Sequence, residues 1–107
     1  MKEKVLITTP IYYINDVPHI GHTYTTVAAD ILARWYRLKG DDVLFLTGLD
    51  ENSVKTVQAA KELGIKDIQK YADSMAEKWK KTWKALGISN DDFIRTTEDR
   101  HKENVKR

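Results

Sequence analysis

Val43-Leu44-Phe45-Leu46 runs without a polar residue into Thr47-Gly48, and a continuous apolar run closed by a turn signal reads as a strand buried on both faces. Such a strand belongs inside a parallel sheet with helices before and after it in the chain. Upstream, Val5 to Pro10 is short, β-branched and ended by proline, which predicts a first strand. From Pro18 the pattern changes to a helical period. Thr23, Val27, Ala28, Ile31, Leu32 and Trp35 follow steps of three and four, and Gly40 supplies a stop. Downstream, Ser53 to Leu63 predicts a second helix with Val54, Val57 and Ala60 inward and Gly64 as its C-terminal signal. Ile68, Ala72, Met75, Trp79, Trp83 and Leu86 predict a longer third helix, closed by Gly87. Phe93 and Ile94 start a third strand, and a polar helical segment follows from about Glu98. Strand and helix in alternation around a buried strand predict an α/β fold with a parallel sheet, wound right-handed.

The 107 residues carry 18 Lys+Arg against 16 Asp+Glu, a net charge of +2 too small to mark a nucleic-acid surface by itself. With 41% hydrophobic and 32% charged residues the chain has the composition of one globular core rather than of a disordered segment. The absence of cysteine excludes a disulfide scaffold, a thiolate nucleophile and the usual zinc knuckles. Met1-Lys2-Glu3-Lys4 leads into an apolar run too short for a secretory or membrane-spanning segment, so the expected location is cytoplasmic, without a membrane partner. No repeat or flexible linker marks an internal boundary. The charged helical stretch ending at Arg107 has neither cap nor stop, so residues 1–107 read as the first half of a nucleotide-binding domain.

Thr8-Thr9-Pro10-Ile11-Tyr12-Tyr13-Ile14-Asn15-Asp16-Val17-Pro18-His19-Ile20-Gly21-His22 joins the C-terminal end of the first strand to the first helix. Open α/β sheets bind ligands there, and a helix N-terminus offers unpaired N–H groups to a phosphate. His19 and His22 are three apart, so on a helix they share one face, about 5–6 Å between Cβ atoms. Gly21 leaves room for a flat ring to approach the backbone. Two imidazoles so placed can donate to a phosphate whose charge grows during displacement; a capping and packing pair is the alternative. Zinc would need a third ligand, and this spacing supplies no recognised set, so no metal role is assigned.

His19-Ile20-Gly21-His22 has the form of the class I aminoacyl-tRNA synthetase signature. The run from Thr8 to Pro18 before it, Tyr24-Thr25-Thr26 and Ala29-Asp30-Ile31-Leu32-Ala33-Arg34 after it, and Phe45-Leu46-Thr47-Gly48-Leu49-Asp50-Glu51 resemble the methionyl-tRNA synthetase family. Trp83-Lys84-Ala85-Leu86-Gly87-Ile88 and Asp92-Phe93-Ile94-Arg95-Thr96-Thr97 continue the likeness over essentially the whole chain. The resemblance implies a Rossmann-like catalytic domain that activates methionine with ATP and Mg2+ and transfers it to tRNA(Met). By the same resemblance Ile11 and Tyr13 shape the methionine site and Asp50 holds the substrate ammonium, as a carboxylate at the end of a central strand can. Were Asp50 purely structural, it would be the N-cap of the following helix. His19, Gly21 and His22 would serve ATP, the two histidines as catalytic donors to the α-phosphate and the leaving pyrophosphate.

One position departs from the family. After Asp50-Glu51 the family commonly continues His-Gly, where this chain has Asn52-Ser53, and serine lacks glycine's freedom at positive φ. The family's lysine-bearing second signature, the insertion that often carries zinc, most of the methionine pocket and the anticodon-binding helices fall outside these residues. The remainder of a synthetase is therefore an expected partner, and an uncovered first-strand edge predicts self-association without it. Two other readings stand beside this one: a small adenylyltransferase, disfavoured because Pro10-Ile11-Tyr12-Tyr13 replaces a glycine-containing turn, and a non-catalytic nucleotide-binding or interaction module. Trp79 and Trp83, at i and i+4, read as core. Lys78, Lys80, Lys81 and Lys84, with Arg100, Lys102, Lys106 and Arg107, read as solvated faces, a tRNA-backbone contact being the alternative.

Overall fold

The strand predicted from Val43 extends over Asp42–Asp50 (β3), and the rest of the chain is arranged around it. In the computed structural model, which describes residues 2–107, β1 (Lys4–Thr8) runs parallel to β3 from Lys4 opposite Asp42 to Thr8 opposite Leu46. β2 (Tyr12–Tyr13) continues along the same edge, opposite Leu49 and Asp50. β4 (Asp92–Arg95) takes the other edge, also parallel, opposite Leu46 to Leu49. Helix α1 (Ile20–Leu38) connects β2 to β3, and α2 (Val54–Glu62) and α3 (Ile68–Ala85) connect β3 to β4; α4 (Asp99–Val105) follows. The parallel α/β sheet expected from the sequence is the one observed.

Both crossovers step the same way across the sheet, so right-handed winding puts their helices on one face. Ile7 and Phe45 pack there against Ala33 of α1, and Leu49 packs against Trp79 and Trp83 of α3. The opposite face is open: Leu6 and Leu44, paired across β1 and β3, are 63% and 50% exposed. A shallow hollow of about 280 Å³ lies over Leu6 and Leu44. A sheet with helices on one side only is thin, and the molecule measures 16 Å in its shortest dimension. Its radius of gyration, 15.3 Å, exceeds the roughly 13 Å of a compact chain of this length.

Several expected faces are corrected by this geometry. β3 is covered by helices on one face rather than on both, and Leu44 on the other face is half exposed. It also does not end at Gly48, which sits mid-strand because any Cβ there would overlap the Ile94 carbonyl of β4. In α1 the buried residues are Thr26, Asp30 and Ala33, while Ile31, Leu32 and Trp35 are exposed; the apolar period is real but most of it points away from this sheet. In α2 the buried residues are Thr56 and Ala60, and Val54 and Val57 are exposed, so only Ala60 of the three expected inward residues is buried. α3 follows its prediction except that Leu86, half exposed, lies beyond its last turn.

β2 escaped the sequence reading, and its register matters. From Thr8 to Tyr12 the chain takes four steps while β3 takes three from Leu46 to Leu49. One extra residue reverses the alternation of faces. Unbroken alternation from Ile7 would turn Tyr13 toward the helices; instead Tyr12 and Ile14 are buried, and Ile11 and Tyr13 are 42% and 48% exposed.

Polar ties hold α1 to the turn after α3. Gly87 has φ 69°, and its carbonyl accepts from Arg34 Nη2 at 2.6 Å. Asp30 Oδ1 accepts both the N–H and the hydroxyl of Ser89, at 2.7 and 2.6 Å. Burial alone would raise the Asp30 pKa, but the bonds from Ser89 and Arg34 outweigh it and hold the carboxyl below its usual range.

Candidate active site

The C-terminal ends of β2 and β3 and the head of α1 converge, as strand ends and helix N-termini do in parallel sheets. His19 lies just outside α1 as its N-cap, with extended backbone (φ −123°, ψ 179°), so it does not share a helical face with His22 as the spacing suggested. Its Nδ1 accepts the Gly21 N–H at 3.0 Å. His22, at the third helical position, accepts the His19 N–H on Nδ1 at 3.2 Å, closing a reciprocal capping box. The two rings stack at 3.7 Å with 28° between planes. The capping pair weighed as an alternative in the sequence is thus present, and it carries a chemical consequence. Each Nδ1 is an acceptor, so in each neutral ring the proton resides on Nε2, which the cap does not use.

His22 packs tilted against the stacked Tyr12–Trp79 pair, its ring centroid 4.8 Å from each. Burial lowers its pKa, the neighbouring His19 lowers it further, and Asp16 opposes both. Gly21 has a different job from the one its size suggested. A Cβ there would stand 2.9 Å from His19 Cε1, so the space above it already holds the His19 ring.

A hollow of about 280 Å³ opens over this helix start, lined by Ile11, Tyr12, Tyr13, Asn15, Asp16, His19 and His22. Asp50 is the register partner of Tyr13 across β2 and β3, next to that hollow rather than in its lining. Its Oδ1 accepts the Asn52 N–H at 3.2 Å, and the N-cap of α2 is Ser53, whose hydroxyl accepts from Thr56 N–H at 3.2 Å. Asp50 is therefore not the helix cap. Ser53 has φ −123°, so this position does not call on glycine's freedom, and Asn52 Nδ2 donates to the Thr96 carbonyl at 3.3 Å. Lys55 Nζ lies 5.7 Å from the centre of the Tyr13 ring.

Sequence reasoning missed Asn15 and Asp16 as lining residues although they stand inside the quoted stretch. It also missed the buried Glu51–Arg95 pair next to Asp50, whose partners stand 44 positions apart, so local pattern gives no signal for it. Trp79, read as core, is buried as expected but also touches His22.

A family model described as "tRNA synthetases class I (M)" matches residues 5–107. The chain belongs to that family. Among this synthetase family's curated members, the methionine–tRNA ligase of Rickettsia felis is 57% identical over 105 residues, covering 98% of this chain and 20% of the relative. That of Thermotoga maritima is 55% identical over 103 residues, covering 96% of this chain and 16% of the relative. Among solved structures, Mycobacterium tuberculosis methionyl-tRNA synthetase in complex with methionyl-adenylate superposes with a TM-score of 0.90 at 43% identity, covering 96% of this chain and 20% of that one. The class I synthetase fold is thereby shown, a Rossmann-like parallel sheet as the resemblance implied. The chain spans a fifth or less of the length of these relatives.

Proposed function

We propose that residues 1–107 are the N-terminal half of the catalytic domain of a methionine–tRNA ligase, which forms methionyl-adenylate from methionine and ATP and passes the methionyl group to tRNA(Met). The observation that carries this reading is the pair of Nε2 donors held at the head of α1 beside Ile11, Tyr13 and Asp50. The names of the relatives, and the methionyl-adenylate in the mycobacterial complex, support it.

In the first step the methionine carboxylate attacks the α-phosphorus of ATP, the bond to the bridging oxygen breaks, and pyrophosphate leaves. A carboxylate needs no base, so His19 and His22 act by donating from Nε2 to phosphate oxygens as negative charge grows there. Both are already fixed by the cap, so little reorganisation is required at the moment of reaction. Asp50 would pair with the substrate ammonium next to Tyr13, a cation and a carboxylate brought together at the end of the central strand. Mg2+ bound with ATP would neutralise part of the charge on its phosphates. Asp16 is the carboxylate that lines the hollow.

The test is methionine-dependent exchange of pyrophosphate into ATP by a full-length ligase that carries this segment. Exchange that requires methionine supports the reading, and exchange that ignores methionine or is absent overturns it.

A further inference from the structure

Trp79 and Trp83 stand one turn apart on α3 and are 0% and 2% exposed, yet their indoles are used differently. Trp79 Nε1–H donates to the Asp16 carbonyl at 3.2 Å, in the loop that leads into His19. Its ring lies 4.8 Å from His22 and stacks on Tyr12 at 5.4 Å and 21°. Trp83 Nε1–H is buried without a partner among the described residues, and its ring meets Tyr12 at 6.3 Å and Trp79 at 5.8 Å. Two turns before Trp79, the Tyr71 hydroxyl donates to the Ile14 carbonyl at 2.6 Å in a buried bond. The third helix thus holds two carbonyls of the loop between β2 and α1, and the same helix supplies a wall of His22.

We infer that Trp79, seconded by Tyr71, is a positioning residue for the two-histidine site, setting where the His22 Nε2–H stands in the hollow. Filling the core does not account for the arrangement. Trp83 fills the same core one turn on with its N–H unbonded, so packing on α3 does not require an indole donor. The loop does require one: the Asp16 carbonyl is fixed by Trp79, and the backbone from Asp16 to His19 decides where the N-cap begins. Misplacing a reacting partner by an ångström can cost about a hundredfold in rate. The lowered titration of His22 agrees with an indole packed on its ring.

The catalytic part of this inference rests on the function proposed above, so the experiment has one arm that needs activity and one that does not. In a full-length ligase carrying this segment, Trp79→Phe and Trp83→Phe lose the same buried volume, but only Trp79→Phe removes a bonded donor, so the difference between them isolates the hydrogen bond. Trp79→Phe is expected to lower kcat of methionine-dependent pyrophosphate exchange about tenfold or more, with KM for ATP and methionine within about threefold. Trp83→Phe is expected to stay within about twofold of wild type in kcat. Equal losses in the two variants, or none in Trp79→Phe, overturn the inference. By histidine-selective 15N NMR, the His22 resonances and titration midpoint shift in Trp79→Phe and not in Trp83→Phe; identical His22 spectra in both variants also overturn it. If wild-type enzyme shows no exchange, the proposed function fails and the NMR comparison alone decides the positioning role. Should Trp79→Phe not fold, Tyr71→Phe, which deletes one hydroxyl and leaves the ring, carries the same comparison with the same expected signs.

Discussion

The buried carboxylate of Glu51 accepts both Nε–H and Nη2–H of Arg95, at 2.7 and 2.9 Å, joining the C-terminal ends of β3 and β4 immediately beside Asp50. Thr97 donates to the same carboxylate at 3.1 Å, and Asp73 accepts from Arg95 at 2.6 Å. Arg95→Leu would leave the Glu51 charge buried and unpaired, which costs about 3–5 kcal/mol. Urea unfolding should show that loss, and Arg95→Lys should recover only part of it because an ammonium cannot reproduce the two-pronged contact.

Asp50→Asn keeps the shape next to Tyr13 and removes the charge. A charge-assisted hydrogen bond to an ammonium is worth about 1.5–3 kcal/mol, so kcat/KM for methionine should fall roughly ten- to a hundredfold. ATP affinity should hardly change. Steady-state exchange with each substrate varied in turn checks both; an unchanged methionine dependence with weakened ATP binding would reassign Asp50 to the nucleotide.

The His22 pKa is lowered in the folded chain, chiefly by burial. As pH falls, the unfolded chain, whose histidine titrates near about 6.5, takes up the proton first. The stability tied to neutral His22 is therefore complete above about pH 6.5 and is lost as pH falls through the lower folded value. Protonation also occupies the Nδ1 lone pair that accepts the His19 N–H, which opens the capping box. Urea midpoints taken at pH 7.5 and 5.5 should drop more for wild type than for His22→Asn, whose side chain does not titrate.

Gly21→Ala separates fold from site. Within a helix, alanine is better than glycine by about 0.5–1 kcal/mol, which offsets the loss of the His19 cap bond, worth about 1 kcal/mol, so stability should change little. The new methyl group would press on His19 Cε1 and force the ring from its stack over His22. Exchange turnover should fall while the melting temperature does not, and parallel losses in both would refute the division.

The free outer edge of β1 and the apolar pair Leu6 and Leu44 are features that recruit another strand or surface. The isolated 107-residue chain should sediment as a dimer or larger species at high concentration. Leu6→Lys with Leu44→Lys should shift it toward monomer. A monomer with β1 amides fully protected from exchange would refute the half-domain reading.

The parallel sheet was legible because β3 and α3 carry their signals in short-range pattern: an unbroken apolar run, and a stripe from Ile68 to Trp83. The His19–His22 pair was legible because it sits at the junction of strand and helix where ligands bind. What α1 and α2 bury was not. Period tells that Ile31, Leu32 and Trp35 form a stripe, but not that this sheet would cover Thr26, Asp30 and Ala33 instead. The tie from Trp79 to Asp16 spans 63 positions, and no local spacing announces it. β2 is two residues long and owes its place to pairing with Leu49 and Asp50 rather than to its own pattern.

The extra step between Thr8 and Tyr12 has a consequence for how this segment can vary over generations. Ile11 and Tyr13 owe their outward aim to a count of residues rather than to their own chemistry. Codon replacements there can retune which side chain a ligand meets. Loss or gain of a single codon would instead invert the parity of the whole stretch, sending Tyr13 into the core and Tyr12 out of it. The loop is therefore tolerant in identity and intolerant in length, so sequences sharing this architecture should differ here by replacement and not by gaps.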